Sequence, residues 1–342
     1  MKLIKISIVV VMAFTLLSSI SYAGKGADFY LDKGPISQEK VITSRIISFD
    51  NPMDRAVLSW NASTPNKSFI KTMLRAKMPD GRWTNWFKMG VWGEEIKSHS
   101  IKGQKNRYGS VDIDTLELKE PALEWQYKVT LHKGKNKTYP TLNAVALTVK
   151  NSKEYKKNLT ANKVSVAPVS VPAFSQFEEG RLKNNPDLGK RICSATSVTM
   201  LLKHNHLENI SPSDIEAKVY DNKADAYGNW SFNTATLFST LKPIAHDNFA
   251  TYVRWFESFD ELLRNIKKDG PAIVSIGFKK GELQGAPVAT PGHLVLVRGA
   301  DSKYVYVNDP AAQDNKTVPR KYLRTEFTKA WKGMAYILDK SF

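Results

Sequence analysis

The chain has 342 residues, 42% of them hydrophobic and 24% charged, with 50 Lys and Arg against 33 Asp and Glu and a single cysteine. The length suggests two domains, and the apolar fraction excludes wholesale disorder. One cysteine excludes an intramolecular disulfide and any Cys-rich zinc or iron–sulfur centre, while a net charge of +17 asks for anionic surroundings without saying which.

At the N-terminus, Lys2 and Lys5 precede an apolar run over 6–17. Ser21 and Ala23 then put small residues at the −3 and −1 positions of a cleavage site. This is the pattern of an export signal over 1–23, cut after Ala23. The run falls short of the roughly 20 apolar residues that span a bilayer. A secreted or periplasmic protein without a transmembrane helix is therefore expected. Residues 24–165 hold 25 basic and 14 acidic side chains, so most of the charge excess lies in the first half. Outside the cytoplasm such a surface meets anionic cell-envelope polymers before nucleic acid. No helix-turn-helix, RRM-like or zinc-finger pattern is present, and no nucleic-acid partner is expected.

Residues 24–150 read as β. Trp125, Tyr127, Val129 and Leu131 alternate with polar residues, and Val145, Leu147 and Val149 with small or polar ones. Ile70, Thr72, Leu74 and Ala76 alternate against Phe69, Lys71, Met73 and Arg75. This is the period of half-buried strands. Pro79-Asp80-Gly81 marks a turn, with Trp83 to Phe87 as the returning strand. Short strands between turns suggest an antiparallel β-sandwich. Trp60, Trp83, Trp86 and Trp92 either fill its core or form a carbohydrate-stacking face. Residues 151–170 lack apolar periodicity and read as an exposed linker, leaving 171–342 as the second domain.

Cys193 stands in Ile192-Cys193-Ser194-Ala195-Thr196-Ser197-Val198, at the start of a helical pattern and after the turn residue Gly189. Unpaired N–H groups at a helix N-terminus favour a thiolate, and Lys190 and Arg191 add positive charge. His293 opens the apolar strand Leu294-Val295-Leu296-Val297 after Pro291-Gly292. A second strand, Tyr304-Val305-Tyr306-Val307-Asn308, ends at Asp309-Pro310. A hairpin turning at Asp301-Ser302 would set His293 opposite Asp309 on one face, about 5 Å apart at Cβ, with Asn308 on the other. His–Asp beside a thiolate is the grouping that activates a nucleophile. A buried structural Cys and an unrelated His are the alternative reading of the same residues. His204 and His206, two apart near a helix end, would not share a face. With no HExxH pattern, no metal or cofactor is expected.

The Cys193, His293 and Asp309 segments resemble the motifs of the bacteriocin-processing-like (double-glycine leader) cysteine peptidases, cysteine-peptidase family thirty-nine. Val171-Pro172-Ala173-Phe174-Ser175-Gln176 resembles that family's opening strand. Gly228-Asn229-Trp230-Ser231 and Gly270-Pro271-Ala272-Ile273 are further similarities, so the resemblance spans nearly all of 171–342. Leu58-Ser59-Trp60-Asn61-Ala62 and Gly103-Gln104 resemble the β domain that precedes this module in some secreted bacterial members. The resemblance implies an α+β papain-like fold with Cys193 as nucleophile, His293 as base, Asp309 as its orienter and Gln176 as oxyanion donor. Gln176 lies 17 residues before Cys193, farther than in leader-cleaving members. No transporter segment or P-loop is present, so leader cleavage is not carried over. The expectation is an exported cysteine peptidase acting on a peptide or protein through a thioester. The competing reading is a papain-like protein without turnover that binds peptide or envelope polymer. The loop 279–291 is expected at the rim of the cleft, and Trp230 either lines the cleft or belongs to the core.

Overall fold

A computed structural model describes residues 19–22, 26–36, 40–245 and 248–341. The expected export signal and its cut at Ala23 lie outside the described residues, apart from the short strand β1 (Ser19–Tyr22). The first half continues with β2 (Ala27–Ile36), β3 (Val41–Thr43), β4 (Ile47–Ser63), β5 (Phe69–Lys77), β6 (Phe87–Trp92), β7 (Gly109–Asp112), β8 (Thr115–His132) and β9 (Thr141–Lys150). Its strands form an antiparallel sheet in the order β1-β2-β9-β4-β8-β5-β6, with β3 and β7 also on β8. The expected sandwich is thus one continuous hydrogen-bonded sheet. The long strands β4 and β8 carry register shifts where they pair, and such bulges bend a strand.

The alternation read from the sequence holds in detail. Ile70, Thr72, Leu74 and Ala76 of β5 are buried while Phe69, Lys71, Met73 and Arg75 are half-buried. Trp125, Tyr127, Val129 and Leu131 of β8 face the same core. Gly81 turns the β5–β6 hairpin with φ +81° and donates its N–H to the Met78 carbonyl at 2.9 Å. The returning strand starts at Phe87, later than expected. Thr84 takes the pairing positions instead: its N–H donates to Ala76 O at 2.8 Å and its hydroxyl accepts from Ala76 N–H at 3.1 Å. Trp60 and Trp92 are core residues, whereas Trp83 and Trp86 stay half-exposed.

The second half is α+β. Its elements are α1 (Gln176–Leu182), α2 (Pro186–Gly189), α3 (Cys193–His204), α4 (Pro212–Val219), α5 (Trp230–Leu241), β10 (Ala250–Trp255), α6 (Phe259–Asp269), β11 (Ala272–Phe278), β12 (Thr290–Ala300), β13 (Tyr304–Asn308), β14 (Pro319–Leu323), α7 (Arg324–Ala330) and β15 (Trp331–Asp339). The strands form a second antiparallel sheet, β10-β15-β11-β12-β13-β14. Leu294 and Leu296 of β12 pack with α3, α4 and α5. Val295 and Val297 pack with α6 and α7 on the opposite face. Burial on both faces explains the unbroken apolar run of β12. Among the described residues no helix is long and apolar enough to cross a membrane.

The halves share a core. Helix α5 is buried almost all round. Its Phe232 and Ala235 belong to the first sheet's core, and its Leu237 and Phe238 to the second's. Asp114, in the β7–β8 turn, accepts hydrogen bonds from the N–H groups of Trp230 and Ser231 at the start of α5. Burial holds its carboxyl well above the usual range, at about 7, against those hydrogen bonds.

Strand β10 is an edge of its own sheet, yet its outward N–H groups are not free. Thr251 N–H donates to Asn61 Oδ1 at 2.9 Å, Val253 N–H to Ser59 Oγ at 3.0 Å and Trp255 N–H to Thr148 Oγ1 at 3.1 Å. Asn61 Nδ2 returns a bond to the Thr251 carbonyl at 2.8 Å. Side chains of β4 and β9 thereby satisfy the edge as a neighbouring strand would, and cover it. Residues 151–170 are largely exposed but pinned along the second half. Lys157 donates to carbonyls at the end of α7, and Val166 exchanges backbone hydrogen bonds with Ala300.

Candidate active site

Cys193 is the first residue of α3, with Ile192 as a cap that offers no side-chain acceptor. The residue as a whole is half-buried. Burial pushes the thiol up, but a hydrogen bond and positive charge from His293, with the N–H groups of Leu294 and Ser194, leave it below the ordinary thiol value. The expected help from Lys190 and Arg191 is not there. Lys190 pairs with Asp187 and Arg191 with Asp225, both at 2.8 Å in solvent.

His293 is buried near the start of β12. Its Nε2 lies 2.8 Å from Asp309 Oδ1, which leaves Nδ1 as the ring nitrogen for the sulfur. Burial pulls the imidazole down, but the Asp309 carboxylate and the Cys193 sulfur raise it to about 10. Asp309 is itself fully buried and its oxygens are taken. Tyr322 O–H donates to Oδ2 at 2.6 Å and Ala311 N–H to Oδ1 at 2.9 Å. Burial raises the carboxyl, and His293 with Tyr322 brings it below its usual range.

The pairing expected for His293 and Asp309 is off by two residues. Leu296 faces Asn308 and Val297 faces Val307, so His293 in the same register would face Ala311. Asp309 is then a diagonal neighbour, and the even shift keeps it on the His293 face. Asn308 points the other way, as expected, and its Nδ2 donates to the carbonyls of Val171 and Pro172 at 3.2 Å.

The segment expected as an opening strand is extended but unpaired, and Gln176 begins α1 behind the N-cap Ser175. Gln176 N–H donates to Pro310 O at 2.9 Å and Ser175 Oγ to Ala312 O at 2.5 Å, which seats Gln176 against the Asp309 loop. Its side chain is buried and the carboxamide oxygen has no hydrogen-bond partner. The long spacing to Cys193 is taken up by α1 and α2 folding back on each other. A Cβ on Gly189 would meet Gln176 O at 2.9 Å, so glycine is what allows that approach four residues before Cys193.

Two residues at the site escaped the sequence reading. Tyr322 lies on β14, whose polar sequence gives no sign of a buried ring. Its register with β13, Val305 opposite Tyr322, would have put it on the Asp309 face. Tyr336 of β15 shares a hydrogen bond with Ser194 Oγ at 3.1 Å, and Trp230 stacks edge-on against it at 5.5 Å. The loop 279–291 borders a cavity of about 590 Å³, lined by Phe278, Lys280, Glu282, Thr290 and Pro291 among others. Thr290 and Pro291 lead directly into His293.

Residues 38–149 match the family described as Peptidase C39 N-terminal domain, and residues 169–338 the Peptidase_C39 like family. Against curated proteins the chain has no match. Among solved structures it is similar to the peptidase domain of Streptococcus ComA, a bi-functional ABC transporter involved in a quorum sensing pathway. That similarity has 18% identity over 44% of this chain and 92% of that one, with a TM-score of 0.31. A C39-like peptidase from Bacillus anthracis is similar at 18% identity over 43% and 88%, with a TM-score of 0.31.

Proposed function

We infer, from a chain that belongs to the peptidase C39-like family, that it is an exported cysteine peptidase of papain-like fold with Cys193, His293 and Asp309 as its catalytic triad. The observation that carries this reading is a half-buried cysteine at a helix N-terminus, its thiol lowered by a buried His that is locked onto a buried Asp. Export is supported by the basic and apolar pattern of residues 1–23.

The thiolate attacks the carbonyl carbon of a peptide bond. The Sγ–C bond forms as the carbonyl π electrons move onto oxygen. The Gln176 carboxamide and the backbone N–H of Cys193 donate to that oxyanion. His293 gives its Nδ1 proton to the departing amine as the C–N bond breaks, leaving a thioester. A water then loses a proton to His293 and attacks the thioester. The acid leaves, and the thiolate–imidazolium pair is restored. Asp309 holds the ring in place throughout and offsets its positive charge, while Tyr322 fixes Asp309. The open depression along the loop 279–291 is the candidate for seating substrate residues beside the scissile bond.

The test is the pH profile of Cys193 alkylation by iodoacetamide, which needs no substrate. Alkylation is expected to persist well below the ordinary thiol value of about 8.5 and to lose that acid limb in His293→Ala. A wild-type thiol that reacts only above that value would sink the peptidase reading.

A further inference from the structure

Trp83, Trp86 and most of the positive charge play no part in the chemistry above. Trp83 and Trp86 meet four cations, Arg75, Lys128, Lys88 and Lys71, on one solvent-facing side of the first sheet. Arg75 of β5 lies between two indoles, 4.3 Å from the Trp83 ring and 4.5 Å from the Trp86 ring. Lys128 of β8 sits 4.2 Å from the Trp86 ring. The result is a stack of indole, cation, indole, cation. Gln126 accepts from both Nε and Nη2 of Arg75, so the guanidinium is fixed in orientation as well as in place. Lys88 and Lys128 flank Met73 on one rung, and Lys71 lies one rung along the same face. None of these four cations forms an ion pair among the described residues. The carboxylate at the end of the face, Glu124, is already paired with Lys77 at 2.8 Å.

We propose that this face, centred on Arg75, Trp83, Trp86 and Lys128, is a binding site for a linear anionic glycan. Long cationic side chains normally lose rotamer freedom when they engage an anion. Here the aromatic faces have already taken that loss, so the site is preorganised. A sheet face several strands wide suits an extended chain laid across it. Its cations would meet the acidic substituents, and the half-exposed indoles would meet the apolar C–H faces of the sugar rings. A sheet edge would instead recruit a peptide strand, but this is a face, with its backbone hydrogen bonds already made between β5, β6 and β8. The site is independent of Cys193 and stands whether or not the thiol is activated.

The test measures binding of the full chain to dextran sulfate at physiological salt. Neutral dextran and phosphatidylglycerol vesicles serve as the comparison ligands. Arg75→Gln with Lys128→Gln is expected to weaken dextran sulfate binding about tenfold or more. Lys135→Gln with Lys137→Gln removes the same charge from an exposed turn elsewhere and is expected to change it less than about twofold. Trp83→Ala removes no charge but frees Arg75, and is expected to weaken binding several-fold. Lys71→Gln with Lys88→Gln, at the rim of the patch, repeats the test should the Arg75 variant fail to fold. Equal losses in the patch and control variants would show bulk charge alone and overturn the proposal. So would retention on neutral dextran, or binding to vesicles without binding to dextran sulfate.

Discussion

Replacing Asn61 by Ala tests whether the edge of β10 is held by side chains of the first sheet. Asn61 and Thr251 are each about 1% exposed, so water does not replace what is lost. The substitution removes the bond from Thr251 N–H, the bond to the Thr251 carbonyl and a third, at 3.0 Å, to Thr251 Oγ1. A buried backbone group left without a partner costs about 1–3 kcal/mol. The Thr251 N–H and carbonyl together set a range of roughly 2–6 kcal/mol, and loss of the carboxamide volume pushes the value up within it. An expected loss of about 4 kcal/mol is several times that of a typical substitution. Urea denaturation followed by tryptophan fluorescence reads the change in free energy. Hydrogen exchange of the β10 amides reads its location, with Thr251 and Val253 losing protection first. A loss under about 1 kcal/mol, with unchanged exchange in β10, would refute the claim that these side chains stand in for a strand.

Other expectations follow from the site. Tyr322→Phe leaves Asp309 Oδ2 buried without its donor and should cost about 1.5–3 kcal/mol by denaturation. Asp309 sits below its usual range, so its contribution is present at neutral pH and is lost as pH falls through that lowered value. Without Tyr322 the value rises, and the acid loss should begin at a higher pH. His293 is raised to about 10 from 6.5, so its contribution is full below 6.5 and lost as pH rises through about 10. Cys193 is lowered from 9.0, so its contribution is full above 9.0 and lost as pH falls through the lowered value. Where the two slopes overlap they cancel, which predicts a plateau of stability up to about pH 9. In Cys193→Ser, thermal denaturation should show stability declining from about pH 6.5 upward, and a retained plateau would contradict the ion pair. Gln176→Ala should slow acylation of Cys193 by p-nitrophenyl acetate about 10²–10³-fold, because that reaction passes through an oxyanion. Alkylation by iodoacetamide has no oxyanion and should be unchanged. Equal effects on both would remove Gln176 from the oxyanion role.

What the sequence made legible was local. The helix start at Cys193, the strand that carries His293 and the alternation in β5 and β8 all depend on near neighbours in the chain. The His293–Asp309 relation survived a two-residue error in register because side-chain direction depends on parity alone. The illegible parts depend on partners distant in sequence. Tyr322 reaches Asp309 through a third strand. Lys190 and Arg191 looked like support for the thiolate, but their nearest carboxylates, Asp187 and Asp225, draw them into solvent. Trp60, Trp83, Trp86 and Trp92 divided between core and surface because Trp83 and Trp86 lie in the turn region before β6, beyond the alternating pattern.

The covering of β10 has a consequence for how the polypeptide is made. Strands β4 and β9 are synthesised well ahead of β10, which follows the end of β9 by about 100 residues. When β10 emerges, the surface carrying Ser59, Asn61 and Thr148 can already be in place to receive it. The first half then acts as a built-in template, holding an exposed strand out of contact with other unfinished chains until β15 arrives to complete the sheet. Expressed without that template, the second half would present β10 bare, and association between copies through that strand is the expected result.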